Sequence, residues 1–377
     1  MIQRVTFVQR KDLKFWKKEY ITARGKRERR GRWREQNQNI QDEFASSYQL
    51  GRRRIPSKCR NSQMGSENLS LIDSRKRANF RLCNVSGYKM DLLEIHAKDP
   101  KFHVLFIPGN PGVISFYLDF LESLYVLLDG TASVTAISHI AQTEKNWERG
   151  RLFSLQEQTD HKINFIEHEL QDVEVPIVLV GHSIGSYISL DIFKRFQGKV
   201  AYCICLYPFL AVNTKSSTQS VIKKIAASRT LSTGLSSIVA ILGLLPVWIS
   251  RILVKNSVGK SWCPAAVEAL CSHVLRYHTV QNMLYMAMTE FEKLSEVPDW
   301  SFMREKKSQM AFLFGVDDHW GPLDLYEEIS NKVPGAVLAV ERENFTHSFS
   351  CTEAGSLWVA KHVSGLIKNY FSKIDAE

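Results

Sequence analysis

Residues 177–185, Ile-Val-Leu-Val-Gly-His-Ser-Ile-Gly, decide the fold of this chain. The four apolar residues predict a buried strand, and the apolar periodicity of residues 184–196 predicts a helix directly after it. The Gly-x-Ser-x-Gly spacing between them is typical of a nucleophile elbow, a sharp turn that exposes a serine hydroxyl. Glycine suits positions 181 and 185 because larger side chains would clash in such a turn. We predict that Ser183 is a catalytic nucleophile; a tight turn in an inert fold is the alternative.

Strand-like and helix-like patterns alternate on both sides of Ser183. Residues 80–85 and 89–95 predict a β-hairpin, because the Ser-Gly pair between them suits a tight turn. Helical periodicity occurs at 113–128, 155–170, 184–196 and 353–372. Apolar runs predict five further strands, at residues 102–107, 133–137, 200–206, 310–314 and 336–340. We therefore predict an α/β protein with the α/β-hydrolase fold, a mostly parallel sheet flanked by helices.

The 377-residue chain is basic, and its positive charge is concentrated at one end. Residues 1–63 contain 18 Lys and Arg against 6 Asp and Glu, so their net charge of +12 exceeds the +10 of the whole chain. The remainder is close to neutral, so no nucleic-acid partner is expected for it. We interpret residues 1–63 as a disordered basic extension and 64–377 as the hydrolase domain, with Met64 as a candidate functional start. An arm that binds nucleic acid or an anionic membrane is the alternative.

The cysteines and the first residues of the chain indicate whether the protein is secreted. The chain has seven cysteines, an odd number, and no Cys-x-x-Cys pair. This pattern favours a reduced protein over a disulfide-linked secreted one. The first apolar run is short and is interrupted by Arg10, Lys11 and Asp12, so it does not resemble a secretory signal peptide. We expect a protein that is not secreted.

The region from about 208 to 307 contains helical patterns only, which predicts a cap inserted into the sheet. Within it, residues 230–250 carry no charge, and Lys and Arg flank them. Their length approaches the roughly 20 residues that span a bilayer. However, Gly243, Pro246 and several hydroxyl side chains interrupt the run, and a spanning helix would separate strands of one sheet. Two interpretations remain: an apolar helix pair that covers the active site, or an element that dips into lipid through Leu235, Ile238, Ile241, Leu242, Leu245 and Trp248.

The acid and base of such a hydrolase follow the nucleophile in the chain, after late strands, in the order Ser, Asp or Glu, His. The turn after the strand at 310–314 contains two aspartates, and the spacing Gly-x-x-Asp selects Asp318 over Asp317. His347 follows the last strand and is the predicted base. His319 is its rival, but it directly follows Asp318 and is poorly placed to fold back onto it. We predict a triad of Ser183, Asp318 and His347.

Two backbone N–H groups must stabilise the oxyanion of the reaction. The residue after the nucleophile, Ile184, supplies one of them. The other is expected from the loop Pro-Gly-Asn-Pro-Gly at 108–112, which follows a buried strand. Prolines have no N–H to donate, so Gly109, Asn110 and Gly112 remain. We select Asn110, because it matches the donor position in loops of the His-Gly-x type.

These features together resemble a known family. Pro-Gly-Asn-Pro-Gly at 108–112, Gly-His-Ser-Ile-Gly-Ser at 181–186, Gly-x-x-Asp-x-Trp at 315–320 and His347 are similar to the motifs of the lipid droplet-associated hydrolases. The resemblance extends from about Phe80 to the C-terminal helix. It implies serine ester hydrolysis at lipid droplets and the endoplasmic reticulum, with sterol esters as proposed substrates, and it favours lipid insertion of the cap. The long basic extension is not a family feature, and His319 replaces a residue that is often proline.

The sequence therefore predicts a serine hydrolase of hydrophobic carboxylic esters, either sterol esters or acylglycerols. The expected partners are the substrate and the surface of a lipid droplet or membrane monolayer, and no metal or organic cofactor is implied. The expected location is the lipid droplet, together with the endoplasmic reticulum membrane or cytoplasm. Two other functions stay open: an acyltransferase or thioesterase that uses the same triad, and a droplet-binding protein with little or no activity.

Overall fold

The computed structural model describes residues 78–375. The predicted extension at 1–63 and the candidate start at Met64 lie outside these residues. Eight strands form one sheet in the order β1-β2-β4-β3-β5-β6-β7-β8. Their bounds are β1 Asn79–Val85, β2 Tyr88–Ile95, β3 Phe102–Ile107, β4 Ala132–Ile137, β5 Ile177–His182, β6 Val200–Leu206, β7 Met310–Gly315 and β8 Val337–Glu341.

Pairing within the sheet is antiparallel at one end and parallel elsewhere. β1 pairs with β2 and β2 with β4 in antiparallel register. From β4 through β3, β5, β6 and β7 to β8, every neighbouring pair is parallel. The carboxyl ends of these parallel strands therefore meet at one edge of the sheet, where the loops after β3, β5, β7 and β8 come together. The α/β-hydrolase fold predicted from the sequence is confirmed.

Eleven α-helices occur in residues 78–375. Their bounds are α1 Leu118–Leu127, α2 Leu155–Glu169, α3 Ile184–Arg195, α4 Ser217–Ala227, α5 Arg229–Gly243, α6 Val247–Asn256, α7 Pro264–Ala269, α8 Tyr277–Lys293, α9 Trp300–Glu305, α10 Leu323–Lys332 and α11 Glu353–Ile374. Two details differ from the sequence expectation. The segment Ile114–Tyr117 is a 3₁₀ turn rather than the start of an α-helix, and α10 was not predicted.

The central strands are buried on both faces of the sheet. Every residue of β3 and β5 is buried, as expected for parallel strands that helices cover on both sides. Because side chains alternate along a strand, Leu105 and Ile107 pack with residues of α2 and α3. Val104 and Phe106 point the other way and pack with residues of α1 and α11. Two apolar clusters thus fix the sheet and make its loop-bearing edge a rigid support.

Residues 207–309, between β6 and β7, contain α4 to α9 and no strand. This segment corresponds to the cap expected at about 208–307. Within this segment, helix α8 contacts α4 and α5. It also contacts α2, which lies outside the cap. Helices α5 and α6, joined at Leu244–Pro246, form what we call the apolar helix pair. In the part of the chain that the structure describes, no single helix is both long and apolar enough to cross a membrane; α4 and α5 meet both criteria only jointly, with a 98° bend between them.

Candidate active site

The turn between β5 and α3 presents Ser183 in a strained backbone conformation. Ser183 has φ 55° and ψ −123°, a combination that residues with a Cβ rarely adopt. A Cβ on Gly181 would lie 2.3 Å from the carbonyl oxygen of Gly185, and one on Gly185 would lie 2.2 Å from that of Ile107. Glycine at both positions is therefore required by close backbone approach. The side chain of Ser183 is held at the edge of the sheet, before the first N–H groups of α3.

Asp318 and His347 lie in contact at the same edge. His347 Nδ1 is 2.9 Å from Asp318 Oδ2, and the Asp318 side chain is almost completely buried. The second carboxylate oxygen, Oδ1, accepts the backbone N–H of Trp320 at 2.9 Å. Both oxygens are thus engaged, which fixes the carboxylate and orients the imidazole. β7 and β8 are neighbours in the sheet, so residues 29 positions apart meet because their strands pair.

The structure distinguishes Asp318 and His347 from the two alternative candidates for the acid and the base. Asp317 and His319 are both exposed, and neither faces Ser183 within the cavity described below. Asp318 is buried between them, because the turn after β7 directs its side chain toward His347 while Asp317 and His319 face solvent. The arrangement can orient an imidazole as an acceptor for a serine proton, which is the chemistry of a nucleophile, base and acid in series.

The loop 108–112 follows β3, and β3 pairs with β5, which brings the loop next to Ser183. Two of its three N–H groups are engaged: Gly109 donates to Tyr117 Oη at 3.2 Å, and Gly112 donates to Gln142 Oε1. The backbone N–H of Asn110 has no hydrogen-bond acceptor within residues 78–375. Asn110 is therefore the loop residue with a donor free for an oxyanion, together with Ile184 at the first position of α3.

A directional chain of hydrogen bonds connects this loop to the elbow and to His347. Tyr117 Oη accepts the N–H of Gly109 and lies 2.8 Å from His182 Nδ1, while His182 Nε2 lies 3.0 Å from the carbonyl oxygen of His347. A carbonyl only accepts, so His182 donates from Nε2 and accepts from Tyr117 at Nδ1. Burial lowers the pKa of His182 well below its ordinary value, and the ring is neutral. His182 thus holds the backbone of His347 and is not itself a base.

Sequence reasoning did not find Tyr117, Gln142 or Glu290. Glu290 Oε1 accepts a hydrogen bond from Asn110 Nδ2 at 3.0 Å. Burial raises the pKa of Glu290 to about 8. The partners of these bonds are 8 to 180 positions apart in the chain, so no local spacing reveals them. A buried acid on an otherwise apolar face of α8 is the one signal that could have drawn notice.

A cavity of about 220 Å³ opens at Ser183. Its wall joins the edge of the sheet to the cap. Cys351 also lines it, but burial raises the pKa of this thiol to about 12, so the group stays protonated and weakly nucleophilic. The remaining lining residues include Asn110, Phe116, Tyr117, His347, Trp262, Leu270, Val274 and Met283. The cavity can hold an apolar group directly beside the serine hydroxyl.

The apolar helix pair presents large apolar side chains to solvent. Of the six residues expected to contact lipid, five are exposed and Leu245 is half-buried. Leu244, between the two helices, is 83% exposed, and Trp248 is 64% exposed. The sequence does not show which face of a helix packs against its neighbours, so several exposed residues were not predicted. They are Leu231, Leu244, Val247, Ile252 and Leu253. So many exposed large apolar side chains on two successive helices are unusual on a protein surface that faces water.

Solved structures that are similar to this one are α/β-hydrolases. A soluble variant of monoglyceride lipase from Saccharomyces cerevisiae, in complex with a substrate analogue, matches with a TM-score of 0.55 and 13% identity, over 84% of this chain and 99% of that one. An epoxide hydrolase from Vigna radiata matches with a TM-score of 0.57 and 16% identity, over 78% of this chain and 99% of that one. At these identities the likeness establishes the fold.

Comparison with sequences gives a narrower result. A lipid droplet-associated hydrolase from Dictyostelium discoideum is 27% identical over 259 residues, 65% of this chain and 81% of that protein. The protein of the same name from Homo sapiens is 26% identical over 273 residues, 67% of this chain and 81% of that protein. The family model described as lipid-droplet associated hydrolase matches residues 100–350, well over half of the chain. The chain therefore belongs to the lipid droplet-associated hydrolase family, and it is a hydrolase with the α/β-hydrolase fold.

Proposed function

We propose that this protein hydrolyses hydrophobic carboxylic esters at the surface of lipid droplets, with Ser183 as nucleophile, His347 as base and Asp318 as acid. The observation that carries the proposal is the 2.9 Å contact between His347 Nδ1 and the buried Asp318 carboxylate. His347 lies on the wall of the cavity into which the elbow presents Ser183. A buried carboxylate without this task would only reduce stability, because burial of a charge costs free energy unless the charge is paired.

The proposed reaction is acyl transfer to water in two steps. His347 Nε2 takes the proton of Ser183 Oγ as the oxygen attacks the ester carbonyl, and Asp318 stabilises the imidazolium that forms. The N–H groups of Asn110 and Ile184 donate to the oxyanion. His347 then returns the proton to the departing alcohol. A water molecule then attacks the acyl carbon while His347 takes one of its protons; the bond from that carbon to Ser183 Oγ breaks, and His347 returns the proton to Oγ, which releases the carboxylic acid and restores the enzyme.

Sterol esters and acylglycerols are the substrate class that the cavity and the cap favour. The wall of the cavity is mostly apolar, and its volume of about 220 Å³ is below the roughly 300–1,000 Å³ of pockets that enclose a drug-sized ligand. We therefore propose that one acyl chain enters the cavity, while the rest of a sterol ester or acylglycerol remains at the droplet surface. The name of the relatives, which refers to lipid droplets, supports this location.

The apolar helix pair is the proposed contact with lipid. Its exposed residues include Leu244 at the turn and Trp248 at the start of α6, an aromatic of the kind found at membrane boundaries. Arg229 begins α5 and Lys255 lies in the last turn of α6, so cations flank the apolar surface, whereas Arg251 of α6 is paired with Glu268. Cations next to an apolar helix face favour binding to a surface that carries anionic head groups. Burial of these side chains in lipid would remove a surface that water disfavours.

Hydrolysis of emulsions tests the enzymatic part of the proposal. Wild type is expected to release fatty acid from cholesteryl ester or triacylglycerol emulsions, whereas Ser183→Ala is expected to release none above background. Asp318→Asn is expected to be nearly inactive, and Asp317→Asn, which changes an exposed carboxylate next to it, is the matched control with wild-type turnover. Turnover of short soluble esters without turnover of either emulsion would contradict the substrate assignment. Turnover by Ser183→Ala would contradict the nucleophile.

Binding to artificial droplets tests the lipid contact separately. The double variant Leu244→Asp and Trp248→Asp is expected to lose droplet binding in a flotation assay, yet to keep its turnover of a soluble ester. Val297→Asp is the matched control, because Val297 is 78% exposed but lies on the loop between α8 and α9, outside the helix pair. Equal flotation of wild type and the double variant would contradict the lipid contact. Flotation by Ser183→Ala with no activity in wild type would instead favour a droplet-binding protein.

A further inference from the structure

Helix α8 of the cap holds the side chain of Asn110. The amide nitrogen Nδ2 donates to the carbonyl oxygen of Met283 at 2.9 Å and to Glu290 Oε1 at 3.0 Å. Met283 and Glu290 are seven residues apart, two turns of one helix, so they lie on the same face. An amide nitrogen has two hydrogens to donate, and both find acceptors on α8. No hydrogen of this amide is left to turn toward the cavity.

The other side of the loop 108–112 is held by Gln142. Gln142 is fully buried, and its Oε1 accepts the backbone N–H of Gly112. Its Nε2 faces Asn110 Oδ1 at 3.5 Å and Met286 Sδ of α8 at 3.9 Å. The Asn110 side chain is therefore surrounded by fixed groups. The backbone N–H of the same residue stays without an acceptor in residues 78–375, next to Ser183 in the cavity wall.

Glu290 has no cationic partner within the described residues; its hydrogen-bond partner there is Asn110. Burial raises the pKa of Glu290 to about 8, so the carboxyl is protonated at neutral pH and its oxygen acts as a neutral acceptor. A buried acid of this kind destabilises the folded state relative to an apolar side chain of equal size. A group that lowers stability and contacts one residue of the site points to a role in that site.

We propose that Glu290 is the positioning residue of the oxyanion hole, which rests on the proposed role of Asn110 as an oxyanion donor. Glu290 fixes the Asn110 side chain, and thereby the direction of the Asn110 backbone N–H. The cap is then part of the catalytic machinery: a displacement of α8 would turn the N–H away from the oxyanion without moving Ser183 or His347. The expected signature is a defect in stabilisation of the transition state with substrate binding preserved.

Three variants of the full chain test this role. Glu290→Met has about the same side-chain length but removes the acceptor, and Glu290→Gln keeps an amide oxygen that can accept from Asn110. Asn282→Leu is the matched control. Asn282 is buried on the same helix and ties the cap to a different loop, through Phe153 N–H and the carbonyl oxygen of Arg151. Asn282→Leu therefore removes a buried tether of α8 to a loop other than 108–112 and keeps the hydrogen bond between Glu290 and Asn110.

The measurements are kcat and KM for a soluble p-nitrophenyl ester, and the inhibition constant of a trifluoromethyl ketone, whose adduct with Ser183 carries an oxyanion. Active sites are counted by titration with a fluorophosphonate, so misfolded protein does not enter the rates. Loss of a complete oxyanion donor lowers kcat about 100- to 1,000-fold. We expect Glu290→Met to lower kcat about 10- to 100-fold at nearly constant KM, with a parallel weakening of the ketone. Glu290→Gln and Asn282→Leu are expected to stay within about threefold of wild type per active site.

Three results would overturn the role of Glu290: wild-type kcat in Glu290→Met, an equal loss in Glu290→Met and Glu290→Gln, or an equal loss in Asn282→Leu. If Glu290→Met does not fold, Asn110→Ala tests the same contact from its other end, since it keeps the backbone N–H but removes the amide. It is expected to show the same kcat defect, and wild-type kcat would overturn the proposal. Failure of the triad itself would give a different result. Wild type would then not react with the fluorophosphonate, and Ser183→Ala would show the same turnover as wild type.

Discussion

Removal of one hydroxyl, in Tyr117→Phe, is predicted to reduce both stability and turnover. Tyr117 Oη is buried between the N–H of Gly109 at 3.2 Å and Nδ1 of His182 at 2.8 Å. Phenylalanine preserves the ring and its packing, but leaves the N–H and the imidazole nitrogen without partners. A buried polar group that loses its partner costs about 1–3 kcal/mol. Two such groups set the expected loss of unfolding free energy at about 2–6 kcal/mol, a large part of a typical total of about 5–15 kcal/mol.

The effect on turnover has a separate origin. His182 donates from Nε2 to the backbone carbonyl of His347, so a His182 ring that is free to rotate no longer fixes the loop of the base. Misplacement of a catalytic group by about 1 Å can cost about 100-fold in rate, so we expect kcat to fall about 10-fold or more. The assays are urea unfolding followed by tryptophan fluorescence, and kcat on a soluble ester per site titrated with fluorophosphonate.

Tyr207→Phe is the matched control, with the opposite expectation. The Tyr207 hydroxyl is also buried, yet it has no hydrogen-bond partner in residues 78–375. Its removal relieves an unsatisfied group, so the unfolding free energy should stay constant or increase. An unfolding free energy of Tyr117→Phe within about 0.5 kcal/mol of wild type, the range of neutral surface changes, would refute the stabilising role of the Tyr117 hydroxyl. An equal loss of stability in the two variants would also refute it.

Asp318→Asn should lower kcat by a factor on the order of 10⁴, as in other triads, while exposed Asp317→Asn keeps wild-type kcat; comparable losses in both would contradict the choice of acid. The pH dependence of stability should change in Glu290→Gln. The pKa of Glu290 is about 8 in the folded protein against 4.5 as its ordinary value, so the unfolded chain releases the proton first and wild type loses stability as pH rises from 5 to 8. Urea unfolding at both pH values should show Glu290→Gln gaining on the order of 3 kcal/mol over wild type across that interval, and a constant difference would contradict the assignment. Gly185→Ala should be destabilised by about 3 kcal/mol or more, because the Cβ would lie 2.2 Å from a backbone oxygen, whereas Gly198→Ala, with open space around it, should unfold like wild type; equal unfolding of the two would contradict the close approach.

The elbow and the parallel sheet could be predicted from the sequence, because both depend on patterns of neighbouring residues. In the elbow, an apolar strand, two glycines around Ser183 and a helix are contiguous in the chain. The parallel sheet follows from the alternation of strands and helices. Asp318 and His347 were selected by the loops in which they occur, and the structure brings their side chains to 2.9 Å. Helix α10 was missed although its buried residues Leu325 and Ile329 recur at helical spacing, because its 10 residues are fewer than the roughly 11–18 in which helical periodicity is read.

The contacts around the proposed triad could not be predicted, because they depend on the packing of distant elements. Tyr117 meets His182 across 65 residues, and Asn110 meets Glu290 across 180. Each of these side chains has an ordinary explanation in isolation: an aromatic in a turn, a histidine in a motif, an acid on a helix. Only the juxtaposition of the cap with the loop after β3 makes Glu290 and Gln142 partners of that loop. Exposure of Leu244 likewise depends on how α5 and α6 dock, not on their composition.

The central claim is that Ser183 is the nucleophile of an active hydrolase, and covalent labelling tests it most directly. Full-length wild-type protein is incubated with a fluorophosphonate, digested and analysed by peptide mass spectrometry. We predict one phosphonyl adduct on the peptide that contains Gly181 to Gly185, with the modified atom at Ser183, and we predict parallel loss of ester turnover. Asp318→Asn should label far more slowly. Absence of labelling, or an adduct at another serine that accompanies the loss of turnover, would contradict the account.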